Sequence, residues 1–512
     1  MTEVSRMSGF LENIVGAILI ATRRVVRSRT TEAFADSGAK NSLLIWIFLW
    51  SLLGVSAFAE KPNILLILSD DHSRDHLGVY GTTSAVTPNL DAFAAEGVRF
   101  DRAYTTAPQC APSRASVFTG RSPVALGVTR FTQPAPKRFP FFTDVLRENG
   151  YYVGLTGRNH HLRGKRVENP DVMAQLEESG LIYIDERFDH AVIENTKGED
   201  GLKNVSGYFT DFLDKVPDGD PFFLYFGFNQ THRSWNRTTQ SIKLDPAKID
   251  LPYRFPDLPE VRKDYRDFLF SLYDLDQGFG TLMEILEERG LKENTLVIFM
   301  GDNGEPLLRG KGTLYENGCN VPFLVRYPGV AKEGTVSNAL VSGEDISATI
   351  LEAAGLPVPE SMTGISFLPA IKGEEYRERE YVYTERGTHG SSLPTTTQHF
   401  DLSRAITSKE HVLIYNALYQ LPFAPVDMDG RPTWEAVKTA HAAGKLDPVH
   451  QQMYFSEPRA MFELYDLNED PHQINNLAGN PSFKSLEWDL RIRLSKWMIR
   501  EGDYLPLPNL NR

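Results

Sequence analysis

Four segments of the chain are continuous apolar runs that end in polar or ionisable residues. Asn63 to Ser69 (NILLILS) ends at Asp70-Asp71, and Tyr151 to Gly157 ends at Arg158-Asn159-His160. Pro221 to Phe228 ends shortly before His232, and Thr295 to Gly301 ends at Asp302-Asn303. Runs without polar alternation predict strands buried on both faces, in a sheet covered by helices. Between them the apolar spacing becomes helical. Asn89 to Glu96 stops at Gly97, and Phe142 to Glu148 stops before Gly150. Tyr265 to Arg289 is a long amphipathic stretch that stops at Gly290, with Leu269, Leu272, Tyr273, Leu282, Ile285 and Leu286 on its apolar side. Alternating strand and helix predict an α/β fold, a large sheet sandwiched by helices. Such sheets bind ligands at the carboxyl ends of their strands. Here those ends carry ligand and acid–base candidates.

The rest of the chain reads differently. Asp245 to Asp264 is rich in Pro and charge and predicts a long surface loop. After about Glu385 the pattern changes to a loop at Gly387-Thr388-His389-Gly390-Ser391-Ser392, short strand-like runs and a final helix around Phe483 to Arg500. This predicts a catalytic domain over residues 60–385 and a smaller C-terminal α+β subdomain over 386–512. Leu43 to Ala59 (LLIWIFLWSLLGVSAFA) is almost wholly apolar and ends in the small-x-small site Ala57-Phe58-Ala59. Residues 1–59 therefore read as a leader and signal peptide. The expected location is exported, periplasmic or secreted, with no stable membrane insertion after cleavage. The alternative is an uncleaved anchor.

A formal net charge of −13 argues against nucleic acid as a partner. It also means that an anionic substrate must be drawn in by a local basic cleft rather than by the whole-protein field. Two cysteines make a disulfide framework an unsuitable reading, and Cys319 reads as packing. The sequons at Asn204, Asn229 and Asn236 are of a kind too frequent by chance to define a host.

Cys110 lies in Cys110-Ala111-Pro112-Ser113-Arg114-Ala115-Ser116, which runs on to Thr119-Gly120-Arg121. Pro112 and Gly120 bracket a short helix in the favoured order. The N–H groups at its start favour an anion beside Cys110, and Arg114 adds positive charge one turn on. Taken alone, a half-buried thiol at a helix start is the more ordinary reading. The full string, Cys-x-Pro-Ser-Arg followed by Ala-Ser-x-x-Thr-Gly, resembles the signature of the sulfatase family. The resemblance implies an alkaline phosphatase-like α/β fold. It also implies that Cys110 is oxidised to formylglycine, whose hydrate attacks sulfate esters.

Asp70, Asp71, Asp302 and Asn303 offer three carboxylates and an amide oxygen, a hard set suited to Ca²⁺ or Mg²⁺. Each pair alone also fits turn chemistry. The resemblance implies a divalent cation there, Ca²⁺ in preference to Mg²⁺, that also touches residue 110. Gly157-Arg158-Asn159-His160 resembles a second family signature with Arg158 where Lys is usual. Through it His160 is implied to hydrogen-bond the formylglycine hydroxyl, while His161 reads as a surface neighbour. His232 and Lys311 match family residues that hold sulfate or the leaving oxygen. Arg309 is a candidate to share the role of Lys311, and Arg233 and Trp235 read as loop residues. The resemblance runs from Lys61 to Ala478 and includes the late motif Glu463-Leu464-Tyr465-Asp466-Leu467. It leans toward the sulfamidase-like branch through Tyr273 to Gly278, Leu296 to Phe299 and Tyr415 to Leu418.

The implied reaction is hydrolysis of a sulfate ester or sulfamate on a carbohydrate, with covalent catalysis at residue 110. Arg114, Arg158 and Lys311 would stabilise sulfuryl charge, Asp302 would help to activate the nucleophile, and His160 and His232 would move protons. A formylglycine-generating maturation enzyme is implied as a transient partner. Two rivals stay open: a phosphonate or phosphodiester hydrolase of the same superfamily, and a non-catalytic sulfoglycan-binding protein.

Overall fold

The computed structural model describes residues 61–130, 135–158, 162, 170–178, 187–193, 204–235, 242–390 and 395–509. The expected leader and Asn159, His160, His161 and Asn236 lie outside the described residues. In chain order the strands are β1 (Asn63–Ser69), β2 (Val98–Phe100), β3 (Ala103–Tyr104), β4 (Tyr152–Gly157), β5 (His190–Ile193), β6 (Phe222–Gly227), β7 (Thr295–Gly301), β8 (Phe323–Arg326), β9 (Thr335–Ser337), β10 (Val341–Ser342), β11 (Val382–Thr388), β12 (Phe400–Thr407), β13 (His411–Asn416) and β14 (Phe462–Asp466). Eight of them form one sheet in the order β5-β4-β6-β1-β7-β8-β2-β9. Its left half through β7 is parallel, whereas β8 runs antiparallel to both β7 and β2. A second, antiparallel sheet has the order β11-β12-β13-β14.

The helices that cover the large sheet are α1 (Pro88–Ala95), α2 (Cys110–Thr119), α3 (Phe142–Glu148), α4 (Val205–Leu213), α5 (Pro259–Glu288), α6 (Asp345–Ala353) and α7 (Pro432–Ala442), with α8 (Lys484–Glu501) near the C-terminus. The central strand shows why its sequence has no polar alternation. Ile64, Leu66 and Leu68 pack with Phe118 of α2, Phe142 of α3 and Ile350 of α6. Leu65 and Ile67 pack into the opposite layer with Phe93 of α1, Phe209 of α4 and Leu272 and Phe279 of α5. Both faces are dry, so every position must be apolar. A separate cluster joins Ile406, Leu413 and Leu464 of the second sheet to Leu490, Leu494 and Trp497 of α8.

Two boundaries differ from the sequence pattern. The stretch expected to be loop as far as Asp264 becomes helix at Pro259, where a missing N–H costs nothing at a first helical turn. Gly387 and Thr388, expected in a loop, complete β11, with Thr388 paired to Phe400 across a local irregularity. Among the described residues no helix is long and apolar enough to cross a membrane.

Candidate active site

The register of the large sheet brings the polar strand ends to one level. Ser69 lies opposite Gly301, and Leu68 and Gly157 both lie opposite Gly227. Gly157, at φ +83°, approaches Gly227 so closely that a Cβ there would lie 2.3 Å from its carbonyl oxygen. That approach sets the backbone from which Arg158 projects. The end of β1 is laced to both neighbours: Thr231 N donates to Asp70 O at 2.6 Å, and Asp302 N donates to Ser69 O at 3.0 Å. Asp71 takes a left-handed backbone (φ 62°), and its N–H donates to Asp302 Oδ1 at 2.9 Å.

Cys110 is the first residue of α2, which ends at Gly120 in the left-handed conformation. Its Sγ lies 3.3 Å from Asp70 Oδ1 and 3.7 Å from Asp71 Oδ1. Burial, reinforced by the Asp70 charge, pushes the thiol well above its usual range. An unmodified Cys110 therefore stays protonated and is a poor nucleophile. Arg114, four residues on, is fully buried and faces inward rather than toward an opening. Its Nε and Nη2 donate to Asp302 Oδ2 at 2.9 and 2.8 Å, and its Nη1 donates to Arg158 O at 2.7 Å.

Asp70, Asp71, Cys110 and Asp302 each present a buried ligand atom within 4.8 Å of the others. Asn303 donates from Nδ2 to Asp71 Oδ1 at 2.8 Å, while its buried Oδ1 has no hydrogen-bond partner. An orphaned amide oxygen among clustered carboxylates fits a hard divalent cation. Burial is the largest influence on the Asp71 carboxyl, and against the pull of Lys311 it joins Asp70 and Asp302 in pushing that carboxyl up to about 7. Asp302 is raised for the same reason, burial first and then Asp70. Asp70 goes the other way: burial pushes it up, but Arg158, Arg114, His232 and Lys311 together hold it far below the carboxylate range. Asp70, Asp71, Asp302 and Asp427 outnumber Arg114, Arg158 and Lys311, and a dication would reverse the sign of this imbalance.

Arg158, His232 and Lys311 stand around the carboxylates, and His232 is the most exposed of the three at 17% of its side chain. Arg158 bonds Asp70 through Nε and Asn229 Oδ1 through Nη1. Asn229 is thus a buried partner of the site and not a surface acceptor for glycan. His232 Nε2 lies 3.8 Å from Asp71 Oδ2, and burial followed by Lys311 keeps its ring neutral. Lys311 is buried between Asp71 Oδ2 at 3.0 Å and Asp427 Oδ2 at 3.1 Å.

Arg309 does not join Lys311: it donates to the carbonyls of His472 and Gln473 at 2.6 Å each and covers the Tyr315 ring. Arg233 is not solvated. It pairs with Asp264 at 2.6 Å and lies over the Trp235 ring. Cys319 is buried packing, its Sγ 3.5 Å from Thr313 O. Sequence patterns did not single out Asp427, His389 or Gln109, which line up behind Lys311. Gln109 directly precedes α2, whereas Asp427 and His389 lie hundreds of residues further on, so spacing along the chain carries no signal that the three meet.

Cys110 stands at a helix start, facing carboxylates at the carboxyl edge of a mixed sheet, in an α/β fold of the alkaline phosphatase-like kind. The chain belongs to the sulfatase family, whose model matches residues 62–356, and its C-terminal part matches the N-sulphoglucosamine sulphohydrolase C-terminal model over residues 304–416. It is therefore a sulfuric ester hydrolase, on the sulfamidase-like side of the family. An ulvan-active sulfatase of Formosa agariphila is 30% identical over 475 residues, covering 88% of this chain and 76% of the relative. Human N-sulphoglucosamine sulphohydrolase is 29% identical over 485 residues, covering 87% and 91%. The solved structure of BT4656 in complex with D-glucosamine-2-N,6-O-disulfate shares the fold, with a TM-score of 0.64 at 19% identity, covering 87% of this chain and 99% of that one. Membership implies a metal ion and a formylglycine, and the carboxylate cluster around Cys110 is compatible with both.

Proposed function

We propose that this sulfatase hydrolyses a sulfate ester or sulfamate on a sulfated saccharide, after Cys110 has become formylglycine. The observation that carries the reading is the position of Cys110 Sγ, 3.3 Å from Asp70 Oδ1 at the start of α2 and inside a buried carboxylate set. Asp70, Asp71, Asp302 and Asn303 would hold a divalent cation, Ca²⁺ by its tolerance of an all-oxygen cage, which supplies positive charge for the sulfuryl oxygens. Formylglycine supplies a hydrated aldehyde, a hydroxyl nucleophile that the thiol is not.

The chain's own residues do the rest. Arg114 clamps Asp302 in place from beneath. Arg158 presents a guanidinium at the rim of the Asp70 carboxylate, where a sulfuryl oxygen can share it. Lys311 places an ammonium where the leaving oxygen or nitrogen departs. His232, held neutral, is in the state needed to donate or accept one hydrogen bond at that end. His160 lies two residues after Arg158 in the sequence and is proposed to take the proton that releases sulfate. Saccharide as substrate is supported by the ulvan-active and sulfamidase relatives. Export is supported by Leu43 to Ala59, and a maturation enzyme acting on the Cys110 segment follows from the modification.

Peptide mass spectrometry of the Cys110 segment, from protein made with a maturase, tests the reading together with a screen of sulfated and N-sulfated saccharides. Conversion to formylglycine with sulfate release is the expected result. A thiol that persists where a control sulfatase is converted would sink it.

A further inference from the structure

Lys311 has two carboxylate partners with different surroundings. Asp71 belongs to the fully buried cluster, whereas Asp427 lies in the segment between β13 and β14 and keeps 32% of its side chain exposed. Asp427, His232 and Asp71 present ligand atoms within 4.8 Å of one another, so Asp427 borders the reaction space itself. The second oxygen of Asp427, Oδ1, lies 3.3 Å from His389 Nε2. His389 Nδ1 in turn lies 3.1 Å from Gln109 Nε2, and Gln109 precedes Cys110. An amide nitrogen can only donate, so His389 Nδ1 accepts and its Nε2–H donates to Asp427. Every group in this chain therefore has one defined role, from the start of α2 round to the Lys311 ammonium.

A lysine on a flexible four-carbon stem needs such a holder. With Asp71 as its only partner it would be drawn toward the buried carboxylate cluster. Burial pulls the Asp427 carboxyl up, but Lys311 and His389 together hold it far below its usual range, so it remains an anion.

We propose that Asp427 is a positioning residue for the leaving-group end of the reaction: it holds the Lys311 ammonium toward the departing atom, with His389 and Gln109 fixing the Asp427 carboxylate. This rests on the sulfuryl-transfer reading above. As the hydroxyl oxygen of residue 110 bonds to sulfur, the S–O or S–N bond breaks and its electron pair goes to the departing atom. That atom takes a proton from Lys311 Nζ, and the proton given up by the attacking hydroxyl returns to the amine through water. The competing role is a structural clasp that joins the second sheet region to the loop after β7.

The two roles differ in leaving-group dependence. A series of sulfate esters from 4-nitrophenyl to alkyl sulfates is assayed with matured wild-type protein, Asp427→Asn, Asp427→Glu, His389→Gln and Lys311→Ala. Asp427→Asn should lower kcat/KM about 30-fold for alkyl leaving groups and no more than about 3-fold for 4-nitrophenolate, which needs little protonation. Lys311→Ala should show the same steepened dependence, and Asp427→Glu should restore part of it. A uniform loss across the series, or no loss, overturns the proposal in favour of a clasp. If Asp427→Asn does not fold, the slope for His389→Gln decides, since a flat series there also overturns it. Wild-type protein that turns over none of the esters, and no sulfated or N-sulfated saccharide, would sink the sulfuryl-transfer reading instead, a different and recognisable result.

Discussion

Ser113 Oγ donates to the backbone carbonyl of Asp302 at 2.6 Å, so α2 is bolted to the end of β7 by a side chain inside the motif itself. Ser113 also accepts from Thr105 Oγ at 2.7 Å. The serine of Cys-x-Pro-Ser-Arg is therefore a spacer between two strand ends.

Ser113→Ala should leave the Asp302 carbonyl without its buried donor. A loss of about 1–3 kcal/mol in unfolding free energy is expected, with a fall in turnover as Asp302 loosens. Denaturant titration and kcat on one sulfate ester check both. A variant of unchanged stability would show that the bond carries no weight.

Cation binding should stabilise the protein strongly, because it neutralises carboxylates whose repulsion is a native-state cost. At free Ca²⁺ a hundredfold above its dissociation constant the gain is about 2.7 kcal/mol. Melting curves in chelator and in graded Ca²⁺ measure it. Asn303→Ala, which removes the orphaned amide oxygen, should shift the whole titration to higher Ca²⁺.

Arg158→Lys restores the residue usual in the related signature but gives up the bond from Nη1 to Asn229. Arg158→Lys should keep kcat/KM within about tenfold, while Arg158→Met should lose at least a hundredfold, roughly the share of one oxyanion-stabilising group. Equal losses in both variants would mean that fork geometry, not charge, is what the site requires.

Glu385 makes stability depend on pH. Its carboxyl is buried in β11, and burial, with Asp503 adding and Arg404 opposing, pushes it up to about 7. The folded state thus holds a proton that the unfolded chain releases near pH 4.5. Stability from this group is full below that value and falls as pH rises toward 7, by an amount on the order of 3 kcal/mol. Glu385→Gln should flatten this slope, because Arg404 keeps Asp503 as its partner at 2.9 Å. Unfolding free energies at pH 5 and pH 8 for both proteins provide the comparison.

The parts of the site readable in the chain are those whose chemistry is local. β1, β4, β6 and β7 announce themselves as apolar runs, and Asp70, Asp71, Asp302 and Asn303 are the residues that stop β1 and β7. Cys110 and Arg114 lie in one contiguous string. His232 and Lys311 carry no local signal beyond a motif, because their value comes from the carboxylates they face. Gln109 and His389 meet across 280 residues of chain, a contact that no spacing rule can anticipate. The short strands β2, β3, β9 and β10 escaped for another reason: two or three residues are too few to display a period.

The pairing of β1 with β7 also sets a clock. The Asp71 amide and the Asp302 carboxylate that receives it lie 231 residues apart. At ribosomal speeds of about 5–20 residues per second, β1 waits for tens of seconds before that neighbour exists. During the wait a largely apolar strand has at least one edge open, both until β6 is made, and the Cys110 segment is not yet enclosed. The same delay that exposes the nascent chain to aggregation is the interval in which a residue destined for complete burial can still be reached.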